Sequence, residues 1–251
     1  MTSFIPDYPD ARVVVSPNHG ERAAGTRPEI ILLHYTGMGS AEAALSWLCN
    51  PDSQVSSHYF VHEDGRVDQL VPEARRAWHA GQGAWAGEGD INSRSIGIEI
   101  ANGGHPAGLP DFPDAQIDSV VRLCLDCVNR HSIRPEMVLG HSDTAPVRKV
   151  DPGEKFPWAR LHAAGVGHYV EPAAIAGGRF FQRGDVGQPI EALQSMLAMY
   201  GYTVEISGNY CEKTEGAVSA FQRHFRPALV DGIADMSTID TLHRLLSSIP
   251  D

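Results

Sequence analysis

The chain is 251 residues long, 42% hydrophobic and 20% charged, with a formal net charge of −11 at pH 7. That length allows one large domain, or an ordinary core domain plus a small module, and the composition is that of a folded chain rather than a disordered one. The negative balance excludes a general affinity for nucleic acid or anionic membrane, which need basic surface, and favours neutral or zwitterionic ligands.

Met1 to Asp10 carries two prolines and two aspartates, with no basic flank and no apolar run of signal length. No stretch of the chain is apolar for the eighteen or so residues that a membrane span needs. Four cysteines, Cys49, Cys124, Cys127 and Cys211, are few for a disulfide framework in a chain this long. The expectation is a reducing, cytoplasmic location, with the periplasm or cell envelope as the alternative.

Glu29 to Tyr35 is a short apolar run of the kind that forms a strand buried on both faces, with His34 at its C-terminal end. Thr36-Gly37-Met38-Gly39 breaks it, and Ser40 can cap a helix through Cys49. Ser57 to Leu70 reads as a hairpin turning at Asp64-Gly65. Ser95 to Ala101 alternates Ile96, Ile98 and Ile100 with Gly97 and Glu99, so Glu99 projects from the face opposite three isoleucines. Asp114 to His131 is helical in period, and Cys124 and Cys127 fall on its apolar stripe as small core residues. Met137 to Gly140 leads into Gly-His-Ser-Asp, and Pro152 keeps Asp151 out of the helical region, so that Lys149 and Asp151 are expected in an extended segment facing one cleft. Strands alternating with helices plus one hairpin predict an α/β fold, a mixed central β-sheet flanked by helices.

Pro157 to Gly178 changes character and ends in a Pro/Ala/Gly-rich stretch, which reads as a linker at 171–179. Beyond it, Ile190 to Tyr200, Lys213 to Phe225 and Ser237 to Leu246 are amphipathic at helical period and predict a small three-helix bundle over 180–251.

The chemistry gathers at three points. His141 and Asp151 are first-row zinc ligands, although a lone pair of this kind also fits a polar surface loop; the strand-end His34 supplies a third ligand. Three protein ligands leave a fourth position for water, the open arrangement of catalytic zinc, Zn2+. Glu99 is then a candidate general base and Lys149 a stabiliser of an oxyanion. His58 and His62, flanking Phe60, read as packed or hydrogen-bonded residues.

Leu33-His34-Tyr35-Thr36, Ala77-Trp78-His79-Ala80-Gly81, Ser95 to Ile100, Gly140-His141-Ser142-Asp143 and Lys149 to Gly153 resemble, in order, the zinc N-acetylmuramoyl-L-alanine amidases of the AmpD and AmiD branch. The resemblance runs from about residue 28 to 162 and implies a catalytic domain over 1–170. It further implies cleavage of the amide between N-acetylmuramic acid, or its anhydro form, and L-alanine of the peptidoglycan stem peptide. By that resemblance His34, His141 and Asp151 hold zinc, Glu99 and Lys149 are the catalytic pair, and Tyr35, Trp78, His79 and Asn102 contact substrate; Trp78 also reads as plain core.

Arg183-Gly184-Asp185-Val186-Gly187, Leu193-Gln194, Ala220-Phe221-Gln222 and Asp231-Gly232-Ile233 resemble a peptidoglycan-binding three-helix domain, departing from it at Phe225 to Ala228. The alternative for this module is a bundle kept only to stabilise the amidase. The alternative for the whole chain is a non-catalytic peptidoglycan sensor, whose signature would be loss of a metal ligand. Peptidoglycan or a muropeptide is the expected partner.

Overall fold

The computed structural model describes residues 3–249. Among them, in chain order, run β1 (Arg12–Val13), β2 (His19–Glu21), β3 (Ile30–Tyr35), α1 (Ala41–Leu48), β4 (Tyr59–Val61), β5 (Val67–Gln69), β6 (Arg75–Ala77), α2 (Ile91–Arg94), β7 (Ser95–Ile100), α3 (Asp114–His131), β8 (Val138–Gly140), α4 (His141–Thr144), α5 (Trp158–Ala163), α6 (Gln188–Tyr200), α7 (Glu212–Phe225) and α8 (Met236–Ser247).

Six strands form one mixed sheet in the order β1-β5-β4-β7-β3-β8. The predicted hairpin is β4 against β5, its only antiparallel pair, while β3 runs parallel to β7 on one side and to β8 on the other. A strand paired on both edges and covered on both faces must be apolar throughout, which is why Ile30 to Leu33 are completely buried. Each such side chain contributes roughly 1.5–3 kcal/mol by leaving water. Ile96, Ile98 and Ile100 are buried likewise, leaving the opposite face of β7 to Ser95, Gly97 and Glu99. The register sets His34 directly beside Glu99.

α1 begins where the sequence places it, with the Ser40 hydroxyl accepting from the Ala43 amide. Cys124 and Cys127 are buried in α3 as core residues. β2 and β6 form a separate antiparallel ribbon that the sequence reading did not anticipate. The stretch after Gly140 differs from expectation as well. It is the single helical turn α4, then a turn through Arg148, two residues without regular structure, and a turn at Asp151 and Pro152, none of it in a strand. Asp143 lies in that turn, accepting from the Gly140 amide at 2.7 Å.

α6, α7 and α8 pack on one another as a bundle, which sits directly against the sheet domain. Gly201 is the closest seat: a Cβ there would meet the Trp85 ring at 2.5 Å, and the Ala86 amide donates to the Gly201 carbonyl at 2.8 Å. Trp85 packs edge-on against Tyr202, ring centroids 5.0 Å apart, and His224 stacks on Trp158 at 3.7 Å. Asp143 is completely buried at this junction, accepting from the Tyr202 hydroxyl at 2.7 Å and pairing with His224 Nδ1 at 2.8 Å. Among the described residues no helix is long and apolar enough to cross a membrane.

Candidate active site

The C-terminal ends of β3 and β7 and the turns after β8 converge on a cavity of about 410 Å³. Its lining includes His34, Tyr35, His79, Glu99, His141, Lys149 and Asp151, so Lys149 and Asp151 do reach one cleft although the segment is not a strand. Met38, Ala44, Trp47, Leu48 and Val55 form an apolar wall, on which Trp47 is 48% exposed.

His34, His141 and Asp151 are buried and each offers a donor atom, all within 4.8 Å of one another. His34 Nδ1 lies 3.0 Å and His141 Nδ1 3.1 Å from the same atom, Asp151 Oδ2. These spacings approach the roughly 3.3 Å edge of a tetrahedron with bonds of about 2.0–2.1 Å, the zinc–nitrogen and zinc–oxygen range.

The hydrogen bonds also require a cation. His141 Nε2 lies 2.9 Å from the Ala80 carbonyl, which can only accept, so Nε2 carries the ring hydrogen. In the neutral ring Nδ1 is then a lone pair aimed at a carboxylate oxygen, and two facing acceptors are stable only with a proton or a metal ion between them. Burial, followed by repulsion from His141, pushes His34 down to about 4, which disfavours the proton. For Asp151 burial opposes ionisation, but the imidazoles of His141 and His34 beside it outweigh burial and hold the carboxyl well below its usual range. The donor set therefore fits a divalent metal.

Glu99 behaves in the opposite way. Burial, reinforced by the nearby Asp151 charge and only partly offset by Lys149, pushes its carboxyl well above the ordinary range. Its Oε2 is buried without a hydrogen-bond partner. A carboxyl group in that condition is suited to exchanging a proton with something that enters the cleft.

The four expected substrate contacts separate. Tyr35 and His79 line the cavity, and the Tyr35 hydroxyl meets His105 Nδ1 at 3.0 Å. Trp78 and Asn102 do not line it. Asn102 spends its side chain on its own loop, donating to the Pro110 carbonyl and accepting from the Gly104 amide, while Trp78 lies beside Gly20 of β2. His58 and His62 are hydrogen-bonded core residues, His58 Nδ1 accepting from the Gly97 amide and His62 meeting Asp68 at 2.7 Å. Sequence reasoning missed Asn92 and Arg148. Arg148 lines the cavity and donates to the Ala80 carbonyl at 2.7 Å. Its place beside Lys149 in a polar run was the only available signal.

A strand-end donor set with a partnerless carboxyl and an ammonium group in one cleft is the arrangement of a metal-assisted hydrolase. Residues 24–154 match the N-acetylmuramoyl-L-alanine amidase family, and residues 186–242 match a peptidoglycan binding domain family. The chain belongs to the N-acetylmuramoyl-L-alanine amidases. It is 38% identical over 232 residues to the amidase AmiD of Escherichia coli, covering 86% of this chain and 82% of the relative. It is 32% identical over 171 residues to the 1,6-anhydro-N-acetylmuramyl-L-alanine amidase AmpD of Enterobacter cloacae, covering 61% of this chain and 89% of that one. Among solved structures, AmiD from E. coli in complex with anhydro-N-acetylmuramic acid-L-Ala-D-gamma-Glu-L-Lys superposes with a TM-score of 0.74 at 36% identity, over 90% of this chain and 92% of that one. AmpDh3 from Pseudomonas aeruginosa gives 0.75 at 28% identity over all of both chains.

Proposed function

We propose that this chain hydrolyses the amide between the lactyl group of N-acetylmuramic acid, in its anhydro form, and L-alanine of the peptidoglycan stem peptide. The observation that carries the reading is the convergence, in one cavity, of three metal-donor atoms, the partnerless Glu99 carboxyl and Lys149. His34, His141 and Asp151 would hold zinc, which when bound activates water near neutral pH and polarises the scissile carbonyl. Glu99 takes the proton from the attacking water at a carboxylate oxygen and returns it to the departing nitrogen of alanine. The Lys149 ammonium stabilises the negative charge that develops on the carbonyl oxygen. The apolar wall, with Trp47 presented to solvent, suits the sugar ring and lactyl methyl, while Tyr35 faces the cleft as a polar contact.

Incubation with anhydro-muropeptide, followed by mass spectrometry, should yield separate anhydro-sugar and stem peptide. Chelator-stripped protein should be inactive and recover with added zinc. Intact substrate in the presence of bound zinc would overturn the reading.

A further inference from the structure

The cleft holds a third histidine, His79, that sequence reasoning assigned to substrate, and its contacts point elsewhere. His79 Nδ1 lies 3.1 Å from His34 Nε2, and His79 Nε2 lies 3.3 Å from the Ser95 hydroxyl. Ser95 Oγ in turn lies 2.6 Å from the Ile91 carbonyl. A carbonyl can only accept, so the Ser95 hydrogen points to Ile91 and its oxygen is left to accept from His79. His79 therefore carries its hydrogen on Nε2, and Nδ1 is a bare lone pair. That lone pair accepts from His34, whose hydrogen must then sit on Nε2. His34 Nδ1 is thereby left bare toward Asp151, as His141 Nδ1 is through the Ala80 carbonyl.

The backbone of the same two residues is clamped from behind. Asn92 Oδ1 accepts from the His79 amide at 3.0 Å and from the Ala80 amide at 2.8 Å. One side chain of α2 thus fixes both the ring that orients His34 and the carbonyl that orients His141. The ring of His79 lies on Gly97, where a Cβ would come within 2.5 Å of it, so any larger residue at that point of β7 would displace the ring.

We infer that His79 is a positioning residue of the metal centre, which fixes the ring-nitrogen hydrogen of His34 so that Nδ1 is presented to the metal, with Ala80 doing the same for His141 and Asn92 holding both. This rests on the zinc reading of His34, His141 and Asp151. Outer hydrogen bonds of this kind set ligand orientation and basicity, and their loss typically weakens metal binding 10- to 100-fold.

The test uses the full chain, zinc as the probe and a chromophoric competing chelator. His79→Asn places an amide oxygen near the Nδ1 position and should keep zinc affinity within about threefold of wild type. His79→Gln places its amide near Nε2, leaves His34 without an acceptor, and should weaken zinc about 10- to 100-fold. The Michaelis constant for muropeptide at saturating zinc should stay within about twofold in both. Nitrogen-15 NMR of the metal-free wild type should show His34 and His79 each as the single Nε2–H tautomer, a reading that stands even if the Gln variant does not fold. Equal zinc affinity of the Gln and wild-type proteins, a His34 Nδ1–H tautomer, or a raised Michaelis constant with zinc affinity intact would each overturn the inference, the last in favour of a substrate contact. A wild type that takes up no zinc would instead overturn the metal reading itself.

Discussion

Two acidic side chains, Asp143 in the turn that bears His141 and Glu99 in the cleft, differ in one respect. Asp143 accepts from the Gly140 amide and the Tyr202 hydroxyl and pairs with His224, so both of its oxygens are engaged. Glu99 leaves one buried oxygen with no partner and has its carboxyl pushed upward by burial. A carboxylate whose lone pairs are filled by fixed donors is a structural part, because moving a proton onto it would break those bonds. A carboxyl group that is buried and underpartnered costs stability and is retained where chemistry needs it. Asp143 thus joins the bundle to the turn that bears His141, while Glu99 waits in the cleft.

Substitution at Glu99 should produce the largest effect. Glu99→Gln keeps the shape and removes the exchangeable proton, so kcat for muropeptide cleavage should fall about 10²–10⁴-fold. Zinc content, read by elemental analysis of the same preparation, should be unchanged, since Glu99 is not among the three donors. Loss of zinc together with activity would show that Glu99 supports the metal and would erase its contrast with Asp143.

Asp143→Ala should leave chemistry possible and damage the fold. It strips His224 and Tyr202 of a buried hydrogen-bond partner at once, and each buried polar group left unpaired costs about 1–3 kcal/mol, about 2–6 kcal/mol for the two. For a chain of this size that lowers Tm by roughly 4–24 °C, measurable by calorimetry on the metal-free protein. An unchanged Tm would mean that the bundle is held by Trp85 and Trp158 alone.

The contrast was only half legible beforehand. Glu99 could be placed because β7 alternates with period two, so three isoleucines on one face fix the glutamate on the other. His34 was legible for a related reason, a strand end followed by a glycine turn. Asp143 stood inside the recognised Gly-His-Ser-Asp run and was given no task, since its partners Tyr202 and His224 lie in a separate segment and no periodicity links them to it. The 171–179 stretch reads as a linker, yet the bundle beyond it rests on Trp85 by way of Gly201. That contact is made between loops, where sequence carries turn signals and no register. The motif of His79 places it in the cleft, where the structure puts it, but only coordinates show which ring nitrogen meets which neighbour.

A third buried carboxylate, Glu73, extends the comparison to pH. Burial opposes its ionisation, but hydrogen bonds from Arg130, His131 and Tyr59 outweigh this and hold its carboxyl well below the usual range. A depressed folded-state value means that its stabilisation is fully present above the unfolded value of about 4.3 and is lost as pH falls below it. Glu73→Gln should therefore cost about 2 kcal/mol at pH 7, the lower figure because Arg130 is 31% exposed and partly screened. Denaturant melts at descending pH should show the gap to wild type closing below about pH 4. A constant gap would assign the loss to packing instead of charge.

Tyr202→Phe gives the sharpest test of Asp143, with a smaller effect than Asp143→Ala. It removes one hydroxyl from a ring that stays packed against Trp85, so apolar burial is nearly unchanged and the effect isolates a single hydrogen bond to a carboxylate. Such a bond is worth about 1.5–3 kcal/mol, which corresponds to a Tm lower by roughly 3–12 °C. Because Asp143 keeps the Gly140 amide and His224, the turn bearing His141 should hold its place, and zinc affinity should change less than twofold. If zinc affinity drops as well, the bundle reaches the metal centre through Asp143. The saturated carboxylate would then be tuning the chemistry it was thought only to brace.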